Sequence, residues 1–180
     1  MLHNKDELGY PTWNPMPSTK YQPASPVSLD PNDIAAALRD RILRAERQFA
    51  AISADAAAKP LAPGKWSTQQ VVGHLIDSAN NNLQRLIRLQ LTAQLDFPGY
   101  QQDDWVYLQR YDLLPWPEVV ALWLALNRHF AHAIQHADAA SLPHIWLYEN
   151  ERLTLGFMLV DYIGHLDHHL RQLPGHSSTA

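Results

Sequence analysis

The chain has 180 residues, of which 46% are hydrophobic and 18% charged, as expected for one globular domain. Its net charge of −4 argues against a nucleic-acid-binding surface, which normally shows as an excess of basic residues. It contains no cysteine, so it cannot form a disulfide or supply a thiol of its own. No apolar run approaches the roughly 18 residues that span a bilayer, and the N-terminus lacks the apolar segment of a signal peptide. We therefore expect a cytoplasmic protein with no nucleic-acid or membrane partner.

Residues 1–30 are predicted to be an irregular, proline-rich arm. Proline recurs at five positions in it, namely Pro11, Pro15, Pro17, Pro23 and Pro26. A segment interrupted this often by proline forms neither a helix nor a regular strand. The arm also carries Tyr10, Trp13 and Tyr21, aromatic side chains that are unusual in a solvated tail. We expect it either to lie along its own domain or to embrace a neighbouring subunit.

The rest of the chain, residues 31–176, is predicted to be one helical domain. Two long amphipathic helices are predicted in its first half. The first begins at Pro31 after Asp30 as N-cap, and it frays through an alanine-rich end before Pro60. The second begins after Ser67, which forms a capping box with Gln70. Its apolar residues recur at helical spacing to about residue 93, and a polar row on the same helix contains His74, Ser78, Asn81 and Arg85.

Two further helices are predicted in the second half. Residues 97–105 are expected to be a loop because of their Pro-Gly pair and polar content. The third helix follows Pro117 and ends near His136. Its inward-facing positions are Val119, Leu122, Leu126, Phe130, Ala133 and Ile134. The last helix follows Thr154 as N-cap and ends before Pro174, and no strand is expected. The predicted class is therefore all-α, a four-helix bundle.

The last helix suggests a metal site. Asp161, His165 and His169 are four residues apart and so lie in one row on a helix, with His168 one step around. Two imidazoles at this spacing can bind one metal ion, but a catalytic metal usually takes three protein ligands. The candidate for the third is His74, which lies between apolar neighbours in the second helix. A single histidine on such a helix is more often structural, and the row His129, His132 and His136 is interpreted as a solvated face.

Three neutral imidazoles would leave coordination positions open for water or substrate. A bound metal would lower the pKa of a coordinated water or activate an external thiol. Asp161 is a candidate to orient His165, although a carboxylate early in a helix is also favoured by the helix dipole. Asn81 and Asp104, with Trp105, are candidates for the mouth of the site, and for each a structural role remains open.

Several segments together resemble the DinB/YfiT-like superfamily. Residues 65–67 and 73–78 (Lys-Trp-Ser and Gly-His-Leu-Ile-Asp-Ser) are similar to its helix-two motif, and residues 161–170 are similar to its helix-four motif with two histidines. Asn81, Asn82, Arg85 and residues 100–105 look like segments of one branch of that family. The resemblance spans roughly residues 30–173. One departure is Gln70, where many members carry glutamate; because Gln70 fits the capping box, this change bears on the helix rather than on the chemistry.

The resemblance implies an up-down-down-up four-helix bundle, often a homodimer, in which His74, His165 and His169 hold one divalent metal ion, expected to be zinc or nickel. Members of the family include metal-dependent hydrolases and enzymes that transfer thiols such as bacillithiol or mycothiol. We therefore expect a metal-dependent enzyme, a hydrolase or a thiol S-transferase, with a small-molecule substrate. The alternative is a non-catalytic metal-binding or stress-response dimer, which four protein ligands on the metal would favour.

Overall fold

A computed structural model describes residues 21–148 and 151–175, and helices make up most of it. The helices are α1 (Pro31–Ala50), α2 (Ala54–Ala58), α3 (Thr68–Leu91), α4 (Gln102–Gln109), α5 (Trp116–Gln135) and α6 (Leu155–Gln172). The strands are β1 (Gln94–Asp96), β2 (Ile145–Tyr148) and β3 (Glu151–Thr154). The arm aromatics Tyr10 and Trp13, and residue 176 at the predicted end of the domain, lie outside the described residues. Within these residues no helix is both long and apolar enough to cross a membrane.

The four long helices form a bundle around one core. Helices α1 and α3 each pack against both α5 and α6, so α1 lies diagonally opposite α3, and α5 lies diagonally opposite α6. Its largest fully buried side chains include Phe49, Trp123, Phe130 and Tyr162. The rings of Phe49 and Trp123 meet edge to face at 5.1 Å, a favoured aromatic geometry.

Side-chain contacts show that α1 and α5 are antiparallel. Near the middle of α1, Arg39 donates a hydrogen bond to Gln135 at the end of α5. Further along α1, Glu46 forms an ion pair with Arg128, an earlier residue of α5, at 2.8 Å. Residues later in α1 therefore contact residues earlier in α5.

Helices α1 and α6 run in the same direction. Arg41 binds Asp167 with two nitrogens, at 3.2 and 3.1 Å. About two turns later in α1, the amide of Gln48 donates to the carbonyl oxygen of Leu173 at 3.2 Å, just after α6 ends. This side chain therefore also satisfies a carbonyl that has no partner within the helix.

Helices α3 and α5 also run in the same direction. Gln69, at the start of α3, donates to the carbonyl oxygen of Leu114 at 2.6 Å, shortly before α5 begins. Gln90, at the end of α3, accepts a hydrogen bond from the backbone of Asp138 at 3.1 Å, shortly after α5 ends. The directions of α1, α3, α5 and α6 are therefore up, down, down and up, as predicted.

The predicted helix starts are confirmed at their caps. Asp30, Ser67 and Thr154 accept backbone hydrogen bonds as the N-caps of α1, α3 and α6. Both halves of the capping box between Ser67 and Gln70 are present. The alanine-rich end of the first helix differs from its prediction: α1 stops at Ala50, and Ser53 caps the separate short helix α2.

The prediction of a strand-free chain is wrong. The strands form a three-stranded sheet in the order β1-β2-β3. Strand β2 is parallel to β1 and antiparallel to β3. Its strands are only 3 or 4 residues long, too short to show a clear alternation of polar and apolar residues. Trp146 of β2 is buried, and its indole nitrogen donates to the carbonyl oxygen of Phe97 at 2.8 Å.

Two further predictions need correction. The expected loop 97–105 is interrupted by α4, whose first turn contains Asp103 and Asp104, where the helix dipole favours acidic residues. On α5, Leu122 is 46% exposed rather than inward-facing, and the neighbouring Trp123 is fully buried instead. The predicted inward positions Val119, Phe130 and Ile134 are buried, so the prediction for the core face of α5 is wrong at Leu122 only.

The described end of the arm lies along α6 of its own chain. Tyr21 donates its backbone N–H to Asp161, and Ala24 donates its own to Asp167 at 2.8 Å. The backbone of Tyr21 passes so close to Gly164 that a Cβ added there would lie 2.8 Å from the Tyr21 carbonyl oxygen. Glycine is therefore required at this point for the close approach of the two backbones.

Replacing Gly164 with alanine is expected to release this part of the arm. Alanine inside a helix normally stabilises it by roughly 0.5–1 kcal/mol, but here the new methyl group would clash with the backbone of Tyr21 and Gln22. Hydrogen exchange at the amides of Tyr21 and Ala24 should become faster, while the helix content stays the same. The control is Gly156→Ala, whose added Cβ has the flexible end of the Leu29 side chain as its nearest neighbour, at 3.3 Å. Unchanged exchange in Gly164→Ala would contradict this packing.

Candidate metal centre

Three histidines from two antiparallel helices converge on one point. His74 lies in the second turn of α3, and His165 and His169 follow each other on one face of α6. Each offers a ring nitrogen, and the three nitrogens lie within 4.8 Å of one another. Nε2 of His74 lies 3.1 Å from Nε2 of His165. The structure therefore brings together the three residues named as candidate ligands.

Ser78 sets the orientation of His165. It lies one turn after His74 on α3, and its Oγ is 3.3 Å from Nδ1 of His165. If Nδ1 carries the proton and donates it to this oxygen, the lone pair on Nε2 is free and points at His74. Ser78, rather than Asp161, is thus the side chain in contact with the outer nitrogen of His165.

Burial keeps the three imidazoles neutral. Burial, together with a smaller effect of the nearby His169, lowers the pKa of His74 to about 3. Burial likewise lowers the pKa of His169 to about 4, and it holds the pKa of His165 well below its usual value. At neutral pH the site therefore presents uncharged nitrogen bases, the form of histidine that binds metal ions.

The donor set fits a divalent transition metal. Zinc–imidazole bonds of about 2.0–2.1 Å place tetrahedral ligand atoms about 3.4 Å apart. The nitrogens of the site already lie between 3.1 and 4.8 Å from one another, so a small inward movement would close them on an ion. Within the described residues, the ligand group consists of these three histidines without a fourth histidine or carboxylate. Such a set leaves at least one coordination position free.

Aromatic rings surround the three histidines. The ring of Trp66 lies 5.4 Å from that of His74, and the ring of Tyr100 lies 6.4 Å from it. On the side of α6, Tyr21 of the arm lies 4.9 Å from the ring of His165. These rings reduce the access of bulk water to the nitrogens, which strengthens electrostatic interactions at the site.

The other predicted site residues have different surroundings. Asp161 holds the arm through Tyr21. Asn81 is buried, and its amide donates to the carbonyl oxygen of Asp77 at 2.9 Å. Asp104 lies in the first turn of α4 beside Trp105, whose ring contacts Tyr100 at 5.0 Å. Trp105 is thus near the expected mouth.

The histidine row on the third long helix faces solvent, as predicted. His129, His132 and His136 are all exposed on α5. The rings of His132 and His136 lie 4.3 Å apart, and Nδ1 of His136 is engaged by the carbonyl oxygen of His132 at 2.9 Å. A pair with metal-binding spacing therefore lies outside the buried centre.

Asp77, one turn after His74, is a buried acid that the sequence did not single out. It accepts hydrogen bonds from Tyr111 at 2.7 Å and from Gln109 at 2.5 Å. Burial raises its pKa to about 6, although both hydrogen bonds act in the opposite direction. Ser78 and Tyr100 were also missed as site residues. The four-residue step from His74 could have indicated Ser78, but nothing in the sequence indicates that Tyr100 folds back onto α3.

Comparison with known proteins agrees with this architecture. The family model of the DinB superfamily matches residues 37–173. A solved structure, YfiT from Bacillus subtilis, aligns with a TM-score of 0.69 and 21% identity over 85% of this chain and 89% of that one. YfiT is described as a probable metal-dependent hydrolase with an unusual four-helix bundle topology. The comparison with curated proteins gives no match. From the extent of the family match, the chain belongs to the DinB superfamily.

Proposed function

We propose that the protein is a metal-dependent enzyme in which His74, His165 and His169 hold one divalent ion. The observation that carries this proposal is the set of three convergent neutral imidazoles with no fourth ligand among the described residues. A structural zinc usually has four protein ligands, whereas a catalytic zinc has three and an open position. The alternative, a non-catalytic metal-binding or stress-response dimer, is less well supported for the same reason.

A divalent ion in this centre would supply Lewis acidity and lower the pKa of a coordinated water or thiol. The protein itself orients the ligand imidazoles and shields them from bulk water. Ser78 orients the ring of His165 through its contact with Nδ1, and Nε2 is free for the ion when Nδ1 carries the proton. The rings of Trp66 and Tyr100 lie beside His74, and the ring of Tyr21 lies beside His165.

Two reactions are compatible with this centre, namely hydrolysis and transfer of an external thiol. Hydrolysis is favoured by the likeness to YfiT, which is described as a probable metal-dependent hydrolase. In a thiol transfer the sulfur must come from a small molecule such as bacillithiol, because the chain has no cysteine. Zinc and nickel are the ions we propose, since both bind imidazole readily.

An activity screen tests the proposal directly. Zinc-loaded and nickel-loaded protein would be assayed with a panel of esters and amides, and with bacillithiol plus monochlorobimane as electrophile. We expect turnover in one of the two assays that is lost on chelation and restored by the metal. Turnover that persists after complete metal removal, or none in either assay with a fully loaded site, would contradict the proposal.

Metal stoichiometry tests the ligands one by one. Each of the variants His74→Ala, His165→Ala and His169→Ala should lose the bound ion, measured by elemental analysis after dialysis, because two imidazoles bind far less tightly than three. His168→Ala is the matched control. His168 lies on the same helix but hydrogen-bonds Gln172 at 2.8 Å, and it is not a member of the ligand group. Wild-type metal content in any of the first three variants would remove that residue from the site.

The buried histidines also predict how stability depends on pH in the metal-free protein. Since burial lowers the folded-state pKa of His74 to about 3, its contribution to stability is fully present above the unfolded value near 6.5 and is lost as the pH falls below it. At about pH 5 the loss from His74 alone should be on the order of 2 kcal/mol.

His74→Gln removes this titration. In chelator-treated samples, the unfolding free energy of the wild type should therefore fall more steeply than that of the variant between about pH 7.5 and pH 5. Denaturant unfolding at several pH values measures both curves. Parallel curves would show that the imidazole of His74 does not resist protonation in the folded protein.

A homodimer, implied by the family resemblance, is also proposed. Light scattering of the eluting species should give about twice the chain mass of 20.5 kDa. A mass equal to one chain over the micromolar range would contradict it.

A further inference from the structure

Within the part of the chain that the structure describes, Arg85 of α3 is a buried cation without a counter-ion. The residue is 6% exposed. No carboxylate of residues 21–148 or 151–175 lies within ion-pair distance of its guanidinium. Its one hydrogen bond to these residues runs from Nη1 to the amide oxygen of Asn82 at 3.1 Å, and its buried Nε has no partner. Buried arginines are normally paired, so this one calls for an explanation.

Aromatic side chains surround the unpaired group. The guanidinium lies over the ring of Trp146, 3.8 Å from its centre, and Trp146 is stacked on Tyr148 at 4.7 Å. The phenols of Tyr100 and Tyr148 are near enough to the guanidinium to affect its pKa. Tyr148 is in turn one wall of an open cleft of about 270 Å³ beside Gly99. The cation–π contact steadies the guanidinium but leaves its charge uncompensated.

This cation belongs to the same face of α3 as the candidate metal centre. His74, Ser78, Asn82 and Arg85 follow one another at steps of four, four and three residues, which places them in one stripe. Contacts link them: Ser78 meets His165, Asn82 donates to Ser78 Oγ at 3.4 Å, and Asn82 accepts from Arg85. Tyr100 lies along this stripe, since its ring is 6.4 Å from that of His74 and its phenol is close enough to Ser78 and Arg85 for both to affect its pKa.

We propose that Arg85 is the anion-binding group of the substrate site and takes the carboxylate of a small organic acid whose reacting end lies at the metal centre. A planar guanidinium with a free edge matches the two oxygens of a carboxylate. Burial lowers the pKa of Arg85 to about 10, so it stays charged at neutral pH. A bound carboxylate would supply the missing counter-charge. The placement of this anion beside the metal rests on the proposed function, whereas carboxylate binding to Arg85 does not.

The test is a titration followed at Arg85 itself. The Nε–H signal of Arg85, assigned by nuclear magnetic resonance with Arg85→Lys as reference, would be followed in metal-loaded and metal-free protein. The probes are straight-chain carboxylates from acetate to hexanoate, each against its primary amide. We expect the best carboxylate to shift this signal and to bind at least roughly tenfold more tightly than its uncharged amide.

Variants separate binding from folding. Arg85→Met should abolish the preference for carboxylate over amide, while its metal content is kept and its melting temperature is unchanged or raised, because an uncompensated buried charge has been removed. Arg88→Met is the matched control: Arg88 is also on α3 and lies over an aromatic ring, Phe97, at 5.0 Å, but it is exposed. This variant should keep the preference.

Equal binding of acid and amide, no shift of the Arg85 signal with any acid of the series, or an unchanged preference in Arg85→Met would each overturn the inference. A lower melting temperature of Arg85→Met with an intact preference would assign Arg85 to folding alone. Carboxylate binding without any turnover would contradict the proposed function only. Turnover without carboxylate preference would contradict this inference only.

Discussion

The contact between α3 and α6 through buried imidazoles is the constraint on which the site depends. Two imidazole nitrogens, Nδ1 of His74 and Nδ1 of His169, are buried without a hydrogen-bond partner among residues 21–148 and 151–175. Each buried unsatisfied group costs roughly 1–3 kcal/mol. A bundle selected for stability alone would place apolar side chains at this contact. The chain instead holds three bases with no acid among them, an arrangement that an ion binding only the folded state would stabilise.

The antiparallel crossing of α3 and α6 has consequences on both sides. On α3, a stripe leads from His74 through Ser78 to Arg85, so polar and charged groups extend from the imidazoles along one helix face. On α6, Asp161 and Asp167 hold the arm over the same region. Asp167 also binds Arg41 of α1, so one carboxylate ties the arm, α1 and α6 together. The shielding of the site by Tyr21 is thus coupled to the packing of the bundle.

Most of the helical framework could be predicted from the sequence because its signals are local. Ser67 and Thr154 each cap the helix that directly follows them. The apolar residues of each helix repeat within one or two turns. The pairing of His165 and His169 is equally local, and His74 stood out as a histidine inside an apolar helix. The up-down-down-up order was available only from the family resemblance.

The features that were missed depend on contacts between distant parts of the chain. The three strands are short, and β1 pairs with β2 across about fifty residues of sequence. The position of Tyr100 beside His74 follows from the path of the segment between α3 and α4, which has no periodicity to interpret. Asp161 has the right spacing to contact His165, but the arm provides a backbone N–H that competes for it. Spacing on one helix cannot reveal such a competitor.

X-ray absorption spectroscopy of the metal-loaded protein tests the central claim most directly, because it counts the atoms bound to the ion. The three-histidine centre predicts three imidazole nitrogens at about 2.0–2.1 Å and the remaining coordination filled by a light atom from solvent. A spectrum with four protein ligands would favour a structural ion, and one with fewer than three imidazoles would contradict the centre described for His74, His165 and His169.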